Sequence, residues 1–388
     1  MALNPPVTRR RLIANLAGAS LYAFVGHRPP ALAARGGASE RKLVFVLLRG
    51  AADGLSLMAP VGDPQFGSVR GELAEEDGRH PIDSFFSLHP GLATIASLAR
   101  ERQTLLFHAV GLSHASRSHF DAQNLLETGG STPYGERTGV LNRLLPLADA
   151  RPSGLALSHA IPPALIGPNA SSSFSPLGPD RFDADLYDRI AGMYDGAMPH
   201  LGRTWREAVA TRKAGGDFGA GTGTEPENLG QLAAGFLTQA DGPQVLMIES
   251  LGWDTHSNQR RRLDGLTRSL DGMIASLKKH LGPAWRDTLV IVASEFGRTV
   301  RANGSSGSDH GTANALFALG GALPRTGIIA DWPGLATSSL REGRDLRTTR
   351  PVEAVLAALA GAHFAVEPGD AARLLYPALP GLEPLALA

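Results

Sequence analysis

Residues Leu289 to Gly311 read LVIVASEFGRTVRANGSSGSDHG. The first five are apolar and rich in β-branched side chains, with no polar alternation, as expected of a strand buried on both faces. The run then gives way to a glycine- and serine-rich loop that carries Glu295, Arg298, Arg301, Asp309 and His310. A turn needs none of those groups. The full strand, TLVIVAS (288–294), has three companions of the same character: KLVFVLL (42–48), TLLFHAV (104–110) and QVLMIES (244–250). Between them run helical patterns. In one, Leu263, Leu266, Leu270, Ile274, Leu277 and Leu281 recur at spacings of three and four, with Gly282 placed to end the helix. Another is VEAVLAALAGAHF (352–364). Strands alternating with helices predict a mostly parallel sheet covered on both faces.

Each strand is succeeded by chemistry. RGAADG with Asp53 comes after the first, and GLSHASRSHFDAQ with two histidines and three serines after the second. LGWDTHSNQ with Asp254 and His256 comes after the third; EFGR and then Asp309-His310 come after the fourth. Ligands of open parallel sheets sit beyond the carboxyl ends of the strands, so four distant segments deliver carboxylates, imidazoles and hydroxyls to one edge. Carboxylates and neutral imidazoles together hold divalent cations, with zinc, magnesium, manganese and calcium all open. An Asp-x-His pair such as Asp254 and His256 can face one way from an extended turn, and Glu295 and His310 reach the same place from the neighbouring loop. One or two ions there can clamp a phosphate-like group, with Arg298 or Arg117 as a fork for its remaining oxygens.

Plainer roles compete at each position. Asp53 suits a helix cap, Asp309 an Asx-turn, Ser116 and Ser118 the cap of a helix starting near Phe120. Glu295 and Arg298 suit a structural ion pair, His256 and His310 hydrogen-bonded loop positions, and His89 and His280 structural ones.

Bulk properties exclude other classes. Lys plus Arg is 37 and Asp plus Glu is 37, so nothing implies a nucleic-acid partner. With no cysteine, disulfides, thiolate metal sites and cysteine nucleophiles are ruled out together. At the N-terminus, TRRRLI (8–13), a short Gly- and Ala-rich apolar run and the A-x-A site Ala31-Leu32-Ala33 form a twin-arginine-type signal over residues 1–35. The expected partner is the twin-arginine export machinery, the expected location the periplasm or outside the cell, with no stable membrane anchor. Residues 36–388 are expected to form a single domain. Within it 168–240, with the surface loop SSSFSPLGPD (171–180) and the glycine-spaced GGDFGAGTGTEPEN (215–228), reads as an insertion or lid.

The stretches LLRGAADGLSLMAPVGDPQF, LHPGL, SRSHFDAQNLLETG, LGWDTHSNQ, SEFGRTVRANGSSGSDHGTANALFALGG and DWPGL resemble the exported domain of unknown function 1501 family of the alkaline-phosphatase and sulfatase superfamily. The resemblance runs from about Lys42 to beyond Leu335. It implies a three-layer α/β/α sandwich, alkaline-phosphatase-like, with a metal site at the strand ends. It also implies Asp53 on one metal, Asp254 and His256 on another, and Ser118, with Ser116 as competitor, as the nucleophile opening a helix. One departure stands out: Glu295-Phe296 occupies the place of an Asp-His pair, so a first site relies on Glu295, with His119 or His114 as the missing ligand and His310 as the later histidine. No sulfatase cysteine or Ser-x-Pro-x-Arg is present.

The expected activity is metal-dependent hydrolysis of a phosphate, phosphonate or sulfate ester of a small molecule or glycan. Two alternatives stand beside it. One is a metal-stabilised scaffold that binds a glycan or partner protein without turnover. The other is a serine esterase, because GLSHA after a strand resembles a nucleophile elbow and Ser113, Asp254 and His310 occur in the required order.

Overall fold

The computed structural model describes residues 41–74, 77–148, 153–176, 184–217 and 225–387. The twin-arginine-type segment lies outside the described residues.

The main sheet contains β1 (Lys42–Leu48), β2 (Thr104–Gly111), β3 (Ser153–Leu157), β4 (Ala170–Ser173), β5 (Val245–Ser250), β6 (Thr288–Ala293), β7 (Asn314–Gly320) and β8 (Gly327–Ile329). Their spatial order is β8-β2-β7-β6-β1-β5-β3-β4. Pairing is parallel throughout except at β7, which runs antiparallel to both β2 and β6. The four strands expected from the sequence are all present. β1 sits near the middle, between β5 and β6, with Phe45 opposite Met247 on one side and Ile291 on the other.

The helices that cover the sheet and carry the site are α1 (Ala93–Arg100), α2 (His119–Thr128), α3 (Val140–Ala148), α4 (Ala184–Ala197), α5 (Pro199–Asp217), α6 (Pro226–Leu237), α7 (Gln259–Leu281), α8 (Val352–Phe364) and α9 (Pro368–Leu375). The unbroken apolar run of β1 has a simple cause. Leu43, Phe45 and Leu47 pack with Leu125, Leu144, Val355 and Leu375 from α2, α3, α8 and α9. Val44, Val46 and Leu48 pack with Ile95, Phe236, Ile274 and Leu277 from α1, α6 and α7. Alternate side chains of a strand point to opposite faces, so a sheet covered on both sides has no polar position to spare. This is a three-layer α/β/α sandwich. The layers are tied across: Asp271 of α7 accepts from Thr94 N at 2.9 Å and Ile95 N at 3.0 Å, supplying the cap that α1 lacks from its own chain segment.

Within 168–240, β4 extends the main sheet and Phe236 of α6 lies in one of its two cores. That part of the expected insertion is a piece of the sandwich. Residues 177–183 and 218–224 of that stretch lie outside the described residues. No helix among the described residues is long and apolar enough to cross a membrane.

The parallel topology puts the ends of β1, β2, β5 and β6 and the loop 294–313 on one edge. Close approach there requires glycine. At Gly50 (φ +114°) a Cβ would come 2.5 Å from Asp254 N, and at Gly307 one would come 2.2 Å from the carbonyl carbon of His256. Both let the loops close around a single point.

Candidate metal centre

His119, Asp254 and His310 place one ligating atom each within 4.8 Å of the others. His119 Nε2 lies 3.0 Å from His310 Nε2 and 3.6 Å from Asp254 Oδ1. His310 Nε2 and Asp254 Oδ1 are 3.4 Å apart. His256 joins from the outer side, its Nε2 2.9 Å from His310 Nε2 and 3.0 Å from Asp254 Oδ1. These four residues come from three connections: β2 to α2, β5 to α7, and β6 to β7.

The other ring nitrogens fix the tautomers. His119 Nδ1 is 2.9 Å from Glu295 Oε1, His256 Nδ1 is 3.3 Å from Asp309 Oδ1, and His310 Nδ1 is 2.9 Å from the carbonyl oxygen of Arg117. A carbonyl or an ionised carboxylate only accepts, so each Nδ1 carries the proton. In a neutral imidazole, Nε2 is then a bare lone pair. Three such lone pairs beside a carboxylate oxygen repel one another unless a cation sits among them. Carboxylate- or carbonyl-backed histidines are the usual arrangement around a bound metal, and the imidazole-rich donor set suits zinc better than magnesium or calcium.

The surroundings shape this charge pattern. The hydrogen bond to Glu295 holds the His119 imidazole above its ordinary pKa, against partial burial. Burial pushes His310 below it, against the hydrogen bond to the Arg117 carbonyl, and the nearby Arg298 charge adds to the effect. Burial works to raise the Asp254 carboxyl, but the hydrogen bond and charge of Arg298 bring it below the ordinary range. Phe296 walls off the inner side, stacked 5.0 Å from His119 and lying 5.2 Å from His310 between ring centres. That explains a phenylalanine where the resemblance leads one to look for histidine.

Several expected site residues are placed differently. Glu295 is buried and does not meet the cluster as a ligand. It accepts from Gly50 N at 2.8 Å, Gln123 Nε2 at 2.8 Å and His119 at 2.9 Å, and its other oxygen accepts from Ser294 Oγ at 2.9 Å. Its role is to orient His119. Asp53 is not in the cluster either. It caps the helical turn Gly54–Leu57 and is held by buried Arg70, by Ser56 Oγ at 2.9 Å and by Gln259 Nε2 at 2.5 Å. Arg298 is buried, not aimed at a substrate. It donates to Ala51 O at 2.7 Å, Gly50 O at 2.7 Å, Ser308 O at 2.9 Å and Asp254 Oδ1, clamping three loops. Arg117 pairs with Asp345 and Glu342. Ser118 caps α2, with Oγ 3.5 Å from Asp121 N, while Ser116 Oγ accepts from Ser118 N at 3.1 Å. The esterase triad is not assembled: Ser113 Oγ donates to Glu353 at 3.1 Å, and both nitrogens of His310 face other groups.

Two supporting residues escape a reading of the sequence. Asp309, which suits an Asx-turn, stands behind His256. Gln123 lies one helical turn after His119, a spacing that puts both on the same inner face. It is braced in turn by Arg49, whose Nη1 donates to Gln123 Oε1 at 2.9 Å and whose Nη2 is 2.8 Å from Glu127. Replacing Glu295 with glutamine is expected to weaken metal binding roughly 10–100-fold without unfolding the protein, as read by competition with a fluorescent chelator.

Residues 183–362 match the family model described as protein of unknown function (DUF1501). Over that stretch, just under half of the chain, the protein is similar to that family. The match takes in Asp254, His256, Glu295 and His310, whereas His119 and the earlier stretches that carry part of the resemblance lie upstream of it. Among curated proteins no sequence matches. Among solved structures, the chain is similar to the C-terminal periplasmic domain of EcEptC from Escherichia coli in complex with Zn, at 9% identity and TM-score 0.38 over 72% of each chain. It is similar to the lipoteichoic acid synthase LtaP of Listeria monocytogenes at 14% identity and TM-score 0.36, over 88% of this chain and 80% of that one. The phosphonate monoester hydrolase of Agrobacterium radiobacter gives 13% and 0.36 over 90% and 79%. Likenesses of this size say nothing of chemistry.

Proposed function

We propose that the chain is an exported, metal-dependent hydrolase of phosphate, phosphonate or sulfate esters, its metal held by His119, Asp254, His256 and His310. The observation that carries the reading is the convergence of three backed imidazoles and a carboxylate on one point at the strand ends. A divalent ion bound there supplies Lewis-acid polarisation of the ester oxygens. The chain's own residues do the rest. Glu295, Asp309 and the Arg117 carbonyl keep the imidazole lone pairs aimed, and Arg298 holds Asp254 against the β1 turn.

Ser118 directly precedes His119, is exposed, and accepts only a long 3.5 Å bond from Asp121 N. Its proton is uncommitted. In the proposed reaction Ser118 Oγ bonds to phosphorus or sulfur as the ester oxygen departs and takes up a proton; water then releases the acid and restores the hydroxyl. Export to the periplasm or beyond is part of the same reading, supported by the Arg9-Arg10-Arg11 pattern.

A second reading, a metal-held scaffold without turnover, is favoured by one observation: the side chains of Arg298 and Arg117, the expected oxyanion forks, are both engaged by the protein. Zinc-loaded protein assayed with 4-nitrophenyl phosphate, a 4-nitrophenyl ester of phenylphosphonate and 4-nitrophenyl sulfate separates the two. Hydrolysis abolished by a chelator, together with a phosphoryl or sulfuryl adduct that disappears in Ser118→Ala, supports the enzyme. Bound zinc with no hydrolysis of any of the three supports the scaffold.

A further inference from the structure

Large apolar side chains exposed to water are few among the described residues, and the two most exposed are Phe120 at 80% and Leu251 at 68%. Both flank the metal centre. Phe120 comes directly after His119 on the first turn of α2, and Leu251 stands three residues before Asp254, just past the end of β5. A third, Tyr134, is 64% exposed, and its backbone N–H donates to Asn124 Oδ1 at 2.6 Å. Asn124 lies four residues after Phe120, so the two share a face of α2. Tyr134 also has φ +61°, a strained conformation for a residue with a Cβ.

Single exposed apolar residues are ordinary on a protein surface. Here, however, Phe120 is the chain neighbour of His119, Leu251 opens the connection that carries Asp254 and His256, and Tyr134 is tied to the helix that His119 begins. A group held at the cluster has to extend across this rim. We propose that Phe120, Leu251 and Tyr134 form a subsite for the non-reacting part of the substrate, and that this part carries an aryl ring or comparable flat apolar group. The inference rests on the proposed metal-centred function and names the substrate class for it. Burying one ring face against Phe120 and Leu251 favours an aryl over a methyl substituent by about tenfold.

Calorimetric titration of zinc-loaded protein with phenylphosphonate and with methylphosphonate tests this without relying on turnover. The expected result is the phenyl compound binding about tenfold tighter. In the double variant Phe120→Ser, Leu251→Ser that preference is expected to vanish, with methylphosphonate affinity and zinc content unchanged. Equal affinity of the two compounds for the unaltered protein overturns the subsite while leaving the anion-binding metal centre in place. So does a phenyl preference that survives in the double variant. Failure of both phosphonates to bind zinc-loaded protein, or failure to take up zinc, overturns this inference and the hydrolytic reading together.

Discussion

Replacing His310 with alanine is expected to yield folded protein that retains essentially no metal through purification. His310 Nε2 is the atom nearest to two others of the cluster, 3.0 Å from His119 Nε2 and 2.9 Å from His256 Nε2. Its loss removes a proposed ligand and the link between the inner and outer histidines. The effect on affinity should exceed the roughly 10–100-fold expected for a supporting residue such as Glu295. Elemental analysis of protein purified without added metal reads it directly. A linked measurement is thermal unfolding with and without a chelator. An ion at one hundred times its dissociation constant stabilises the native state by about 2.7 kcal/mol, so the unaltered protein should melt several degrees lower once stripped. The variant should melt at one temperature in both conditions. If His310→Ala keeps its metal, the cluster is not where the ion resides.

The second large effect falls on a residue that the sequence offers as a ligand. Asp53→Asn is expected to lower folding stability by about 3–5 kcal/mol, because it leaves the fully buried Arg70 guanidinium without its counter-charge. Against a total of about 5–15 kcal/mol for a typical domain, that is a large fraction, and urea unfolding will show it. Asparagine keeps the shape and can still cap the turn at Leu55 through Oδ1, but its NH2 then faces the Arg70, Ser56 and Gln259 donors that the second carboxylate oxygen accepts from, so charge and hydrogen bonds are lost together. Metal bound per folded chain should stay unchanged. Were Asp53 a ligand, the pattern would reverse, with metal lost and stability little altered.

The pH dependence has a definite sign. Burial alone would raise the Asp53 carboxyl, but the charge and hydrogen bond of Arg70, with Ser56 and Gln259, bring it below the ordinary carboxylate value. A depressed native pKa contributes stability that is complete above the unfolded value, near about 3.9, and is lost as pH falls through the native one. The unaltered protein should therefore lose this contribution only in acid, below about pH 4. The variant should lack that part of the slope.

How much of this is legible without a structure depends on the range over which each residue acts. The four strands, the long helix Gln259–Leu281 and the gathering of polar loops at one edge derive from local hydrophobic pattern and the topology of parallel sheets. Asp254, His256 and His310 are readable as candidate ligands because each lies just beyond a strand end or on the loop at that edge, and the structure brings the three together. Glu295, Asp53 and Arg298 occupy equally promising places, and their roles are not readable. A carboxylate one step from the metal and a carboxylate on it look alike in a sequence.

By itself, then, the order of residues determined the layers of the sandwich and the edge at which polar groups collect, since burial on both faces leaves its imprint within a single strand such as Lys42–Leu48. Only the folded chain decided which groups meet. That choice turns on contacts such as Asp53 with Arg70, Glu295 with His119 and Asp309 with His256. Each depends on an approach of about 3 Å, between partners that lie 17, 176 and 53 residues apart along the chain. Local pattern does not reach that far.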